Sequence, residues 1–442
     1  MPIIRIKAEA SDNKRALILL FIMGLGSNLF LHFGSYIAIA DILAGLLGPF
    51  AILRVFKLKH GNDAKLALIF SALWLLGAIG ADIINVSPVA LAIKGFFKVS
   101  LIALQLAIGY DLLHRNPSGV RWYFLGATLS AWLSAYILKP GSIALFEQVN
   151  GITLTDSFEK QWIAVVLFGT ITAWFFLWQR FPTASAVAVL IGGCLTVFGG
   201  SRSTGGIMMA AGCAVFFVRA SAIFDSYRVE SEITRIFLLG TSLVLVGMMV
   251  AFSYGFAAKS GWLGDRATDK YTSQVNSRFG LLLGGRSDFV AGLLAIEDKP
   301  FIGHGTWAAD TEGYRFRASQ LVGVDYFEFY ADEIGRIGGH SSILEAWVEH
   351  GILSLPFWMF MLFIIGKCSY LALRRNLPAI GPVLILLFGR IWDTFFSPIG
   401  GLTTLAVTYA LFIIIVEGAY HSQPSRLARH HRRQKVPSYG IS

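Results

Sequence analysis

Repeated apolar runs, each long enough to cross a bilayer, constrain this chain more than any other feature. The runs at 16–31, 66–84, 162–178 and 236–256 each approach the roughly 17–25 residues that a spanning helix needs. A soluble core cannot absorb that much apolar surface. Hydrophobic residues make up 55% of the 442 and charged residues 14%, against about 25% charged in a soluble domain.

The pattern predicts an all-α polytopic membrane protein of about twelve transmembrane helices, at 16–32, 35–53, 66–86, 89–110, 122–138, 161–178, 183–199, 205–218, 236–256, 342–366, 378–394 and 400–418. Residues 1–256 then hold helices one to nine, 257–341 one large loop, 342–418 the last three helices and 419–442 a basic tail. With a cytoplasmic N-terminus, the cytoplasmic segments carry 22 of the 37 Lys and Arg residues, and the short turns at 33–34, 87–88 and 395–399 carry none. The positive-inside rule therefore places both termini in the cytoplasm and the large loop outside, because long loops translocate regardless of charge. Arg5, Lys7, Lys14 and Arg15 precede the first run, but no small-x-small cleavage site follows, so that run reads as an uncleaved helix.

Several function classes drop out. The net charge of +10 sits mainly in short loops and reads as topology, not as a nucleic-acid footprint, with tail residues 426–435 touching anionic lipid. Cys194, Cys213 and Cys368 lie in or beside apolar runs, so no disulfide framework is expected. There is no His-Glu-x-x-His, no metal-spaced cysteine pair, no Walker loop and no Gly-x-Ser-x-Gly elbow. Asp310 and Glu312 resemble an acidic metal pair only weakly, and neither a metal nor a cofactor is expected.

Ionisable residues inside spans are the first functional candidates. Lys94 and Lys98, four apart on one helix face, either anchor an anionic group or snorkel; Arg390 and Asp393 are spaced for a salt bridge on one helix side. Arg202 lies in the glycine-rich turn 199–206 before an expected helix, which suits a phosphate-facing corner or an interfacial arginine paired with lipid headgroups. In the loop, Arg286 follows Gly284-Gly285 and precedes a short helix expected at 290–296. Asp310–Glu333 is rich in aromatic and acidic residues, including Tyr314, Tyr326, Phe327, Phe329 and Tyr330, a composition suited to sugar rings. His340 ends the loop, before a helix that Ser341 or Ser342 can cap, as either a plain loop histidine or a base at the membrane edge.

Together these features resemble the bacterial O-antigen ligase and O-antigen polymerase superfamily. The resemblance rests on Asp41-Ile42-Leu43, Ser201-Arg202, Gly285-Arg286, Pro300-x-x-Gly303-x-Gly305, and His340 before a helix bearing Glu349-His350-Gly351-Ile352-Leu353. The family often shows His-Asn where this chain has His340-Ser341, and a second glycine where it has Gly351-Ile352-Leu353-Ser354. What the resemblance implies is a fold similar to GT-C-type glycosyltransferases and a metal-independent, inverting glycan transferase. Its expected site is periplasmic, in a bacterial inner membrane. The expected donor is an undecaprenyl-diphosphate-linked oligosaccharide, with a glycan or lipid-linked acceptor in surface polysaccharide synthesis. His340 is then the base and Arg202 and Arg286 bind the diphosphate, with Lys94, Lys98, Arg390, Asp393 and Tyr314 as further substrate contacts. The alternatives are transfer to lipid A core or protein, and a flippase of lipid-linked saccharide.

Overall fold

The computed structural model describes residues 10–32, 36–136, 154–178, 180–198, 201–224, 287–323, 335–337, 339–375 and 380–421, with shorter pieces between 248 and 278. Helix α1 (Ala10–Gly26) leads into a hairpin of β1 (Phe30–His32) and β2 (Tyr36–Ala38), paired antiparallel with Leu31 opposite Ile37. Then follow α2 (Ile39–Lys57), α3 (Asn62–Ile84), α4 (Val89–Arg115), α5 (Val120–Tyr136), α6 (Leu154–Leu177), α7 (Pro182–Phe198) and α8 (Arg202–Phe224). The large loop contributes α9 (Ser287–Asp298) and α10 (Tyr314–Val322), and the chain returns through α11 (Ser342–His350), α12 (Leu355–Arg375), α13 (Ile380–Phe396) and α14 (Leu402–His421).

Five helical stretches among these residues are long and apolar enough to span a membrane: α2, α3, α4, Ile352–Ala372 and Leu402–Ala419. Shorter apolar helices occupy Ile163–Leu177, Thr183–Val197 and Ser203–Phe216. Their outward faces are apolar too, as at Leu46, Phe50 and Leu53 of α2 and Leu76 and Ile83 of α3. A helix apolar on every side belongs in lipid, so this is a helical membrane protein. Trp74, Tyr110, Phe357 and Trp358 fill the central core, while Ala291, Ala295, Tyr314, Ile337 and Val348 form a second, smaller core that ties the loop helices to α11.

Two boundaries differ from expectation. The first two helices, expected at 16–32 and 35–53, are separated by the hairpin, so α1 ends at Gly26 and α2 starts at Ile39. The expected ninth helix, 236–256, lies largely outside the described residues. The expected tenth, 342–366, is broken: Gly351 sits at φ +69° and ψ −164°, a conformation essentially reserved for glycine, which separates α11 from a short 3-10 turn and α12. Backbone from elsewhere fills the gap, Ile352 N–H donating to the Phe301 carbonyl at 3.1 Å. A Cβ at Gly351 would collide with the Phe301 carbonyl oxygen. Gly351→Ala is therefore expected to destabilise the protein by at least about 2 kcal/mol, read as a lower unfolding midpoint in detergent.

Candidate functional site

The candidate site begins at the N-terminus of α11. Ser341 is its N-cap, in extended geometry, with its hydroxyl accepting from Leu344 N–H at 3.3 Å and donating to the Thr394 carbonyl of α13 at 2.8 Å. One serine thus ties the start of α11 to α13 and fixes the residue before it, His340. The His340 Nδ1 lies 3.0 Å from Asp288 Oδ2, in the first turn of α9, and the side chain is 52% exposed. Asp288 is held in turn, its other oxygen 3.5 Å from Arg315 Nε of α10. With its Nδ1 proton directed at a carboxylate, a neutral imidazole presents the lone pair of Nε2. A half-exposed histidine oriented by a buried carboxylate is the arrangement that general-base chemistry uses.

Asp310 helps to position Arg315. Its two carboxylate oxygens accept from the N–H groups of Tyr314 and Arg315, at 2.7 and 2.8 Å, which satisfies the start of α10. That carboxylate serves the helix, not a metal pair with Glu312. Among the described residues, no cluster of three or more His, Cys, Asp or Glu is placed to hold an ion.

Behind this site lies a buried polar network. Lys98 of α4 meets Glu345 Oε1 at 2.5 Å and Glu349 Oε2 at 3.1 Å, two carboxylates four apart on α11. Glu345 also accepts from Ile399 N–H at 2.7 Å, and Glu349 from Trp307 N–H at 3.3 Å. On the other side, Trp74 Nε1 donates to His350 Nδ1 at 2.9 Å, which places the ring proton of a neutral His350 on Nε2. Thr306 Oγ1 donates to Asp82 Oδ2 at 2.8 Å and stands 3.2 Å from His350 Nε2, whose proton it can accept. Thr306 N–H completes the set at Asp82 Oδ1, 2.7 Å away. Every partner in this chain is satisfied in one direction, as a buried polar group requires.

The loop segment 300–307 makes this network possible. Gly303 and Gly305 take φ of +80° and +88°, which turns the chain so that His304 and Gly305 N–H donate to the Val348 and Glu349 carbonyls at 2.7 and 2.9 Å. Asn85 at the end of α3 donates to the Gly303 carbonyl at 3.0 Å, and Trp347 Nε1 to the Pro300 carbonyl at 2.8 Å. His304 Nε2 reaches the Ala295 carbonyl at 2.8 Å, and burial holds its pKa below the usual histidine value.

The other expected residues divide. Lys98, expected to contact substrate, is neutralised by two glutamates. Arg390 and Asp393 form the intrahelical ion pair their spacing allows, at 2.8 Å. Tyr314 corrects an expectation: it is 1% exposed, with its hydroxyl donating to Asp298 at 2.6 Å, so its ring packs in the small core and offers no face to a sugar. Arg202 is the first residue of α8, so the expected helix N-terminus is present there. Gly205 in the same turn serves packing, since a Cβ there would come within 2.5 Å of the Gly193 carbonyl oxygen on α7. Arg286 lies outside the described residues but immediately precedes α9, two positions before Asp288. Tyr326, Phe327, Phe329 and Tyr330 also lie outside them.

No family model, no curated protein and no solved structure matches the chain. Sequence reading gave no role to Asp82, Asp288, Thr306 or Glu345, and took Glu349 and His350 only as part of a motif. Asp82 had the same signal as Lys98, an ionisable residue in an apolar helix, and the Glu345/Glu349 spacing marked one helix face.

Proposed function

We propose that the chain is a membrane glycosyltransferase, of O-antigen polymerase or ligase type, that uses a polyprenyl-diphosphate-linked oligosaccharide in surface polysaccharide synthesis. The observation that supports the reading best is the pair of His340 and Asp288, at the point where the loop meets α11. In this reading His340 Nε2 takes the proton of an acceptor hydroxyl as its oxygen bonds to the anomeric carbon. The bond from that carbon to the diphosphate breaks on the opposite face, so the configuration inverts, and the lipid diphosphate leaves with the electron pair. Arg286, next to α9, and Arg202, at the start of α8, supply bidentate cations for the leaving group. The proposal includes about twelve spans, cytoplasmic termini, a bacterial inner membrane and an extracytoplasmic site.

A flippase would need free cations through the depth of the membrane. Lys98 and Arg390 are both matched by carboxylates, which favours the transferase. The reading is tested by incubating the purified protein with a lipid-linked oligosaccharide and following its length and attachment. Growth of lipid-linked chains marks a polymerase, and movement to lipid A core or protein a ligase. An unchanged substrate under all acceptors would sink the proposal.

A further inference from the structure

Helix α4 carries one lysine that is matched and one that is not. Lys98 lies between Glu345 and Glu349, whereas Lys94, one turn nearer the start of α4, is exposed and has no carboxylate partner among the described residues. Its Nζ stands 5.2 Å from the centre of the Trp307 ring. Arg336, also exposed and also without a described carboxylate, brings its guanidinium to 5.1 Å from the same ring. An exposed cation over a ring gains only about 0.5–1 kcal/mol, and two like charges around one indole repel. An anion between them would relieve that repulsion.

Trp307 does not sit there by local preference. Its φ of +49° is unusual for a bulky side chain and costs about 1–3 kcal/mol, which persists only where the surroundings impose it. The buried network imposes it: Thr306 N–H is held by Asp82 and Trp307 N–H by Glu349, so the indole is presented at the junction of α4 and the loop. Apolar surface adjoins the cations. Ile93, Phe96 and Phe97, beside Lys94 on a helix long and apolar enough to span a membrane, are 50%, 42% and 55% exposed. Two cations without a carboxylate partner among the described residues, next to exposed apolar side chains, fit a ligand that combines an anion with a hydrocarbon chain.

We infer that Lys94, Trp307 and Arg336 form a subsite for the phosphate group of a membrane amphiphile, whose chain runs along Ile93, Phe96 and Phe97. The guanidinium and ammonium bind the phosphate oxygens, and the indole covers an apolar face of the group attached to them. Arg336 lies four residues before His340, at most about 14 Å along an extended chain. The inference goes beyond the transferase reading, because it requires phosphate binding and no chemistry.

The phosphate can belong to a polyprenyl carrier or to a bulk phospholipid headgroup, and the experiment separates the two. Full-length protein in neutral detergent is titrated with farnesyl diphosphate, farnesol and a short-chain phosphatidylglycerol, and bound ligand is counted by native mass spectrometry. Farnesyl diphosphate is expected to bind at least about ten-fold more tightly than farnesol. The double variant Lys94→Gln/Arg336→Gln should lose that preference at an unchanged unfolding midpoint, and Lys94→Arg should keep it. Phosphatidylglycerol binding that matches the diphosphate and falls with it assigns the subsite to headgroups; weak phosphatidylglycerol binding assigns it to a polyprenyl phosphate. If the double variant unfolds, the exposed single change Lys94→Gln carries the same comparison. Equal binding of diphosphate and farnesol, or diphosphate binding undiminished by the variants, overturns the inference. Because none of these readouts measures glycan transfer, failure here leaves the His340 proposal standing.

Discussion

Replacing His340 by alanine is expected to remove glycan transfer while the protein still folds and reaches the membrane. Its ring is half exposed and meets Asp288, which Arg315 continues to hold after the change. Stability should therefore move little. A positioned general base contributes about 10²–10⁴ in rate, so long glycan should disappear and lipid-linked units accumulate. Asp288→Asn should give a smaller but clear loss at unchanged substrate affinity, since an amide can donate to Nδ1 and so favour the wrong tautomer. Wild-type turnover by the His340→Ala protein, measured on purified lipid-linked oligosaccharide, would eliminate the base assignment.

The opposite pattern is expected at Lys98, where the fold should fail before the chemistry. Lys98→Met leaves Glu345 and Glu349 facing each other with their shared cation gone, and their side chains are only 13% and 4% exposed. Breaking a buried pair by removing one partner costs about 3–5 kcal/mol. Thermal unfolding in detergent should show a large drop, and the protein level in membranes should fall with it. The triple change Lys98→Met/Glu345→Gln/Glu349→Gln removes the unmatched charge together with the cation and should recover much of the loss. A single Lys98→Met variant with an unshifted midpoint would mean that the network contributes little to stability.

The apolar runs made helices in lipid legible, because length and hydropathy alone decide whether a segment can cross a bilayer. Their ends were less legible. The strands Phe30–His32 and Tyr36–Ala38 are too short to read apart from the apolar runs beside them, and only long-range geometry marks the break at Gly351. In the site, Ser341 was readable as a cap, because capping is a local rule, and His340 was readable as the residue that such a cap would hold in place. Its carboxylate was not, since Asp288 lies 52 residues earlier and meets it only through the packing of α9 against α11. Tyr314 shows the converse error. Composition placed an aromatic ring in a sugar-binding loop, whereas the small core of that loop needed the ring for itself.

The segment 300–307 has a consequence for how the molecule can be taken apart. By sequence, the loop is an insert between two spans, of the kind that is often exchanged between related proteins or expressed alone. By contact it is not modular. Its turn is bonded to Asp82 of α3 and to Asn85 at that helix's end, and it packs beside the two glutamates that pair with Lys98 of α4. A chimaera that takes this loop therefore needs the ends of α3 and α4 from the same parent, and a soluble fragment of the loop would carry half of a polar interface with nothing to complete it.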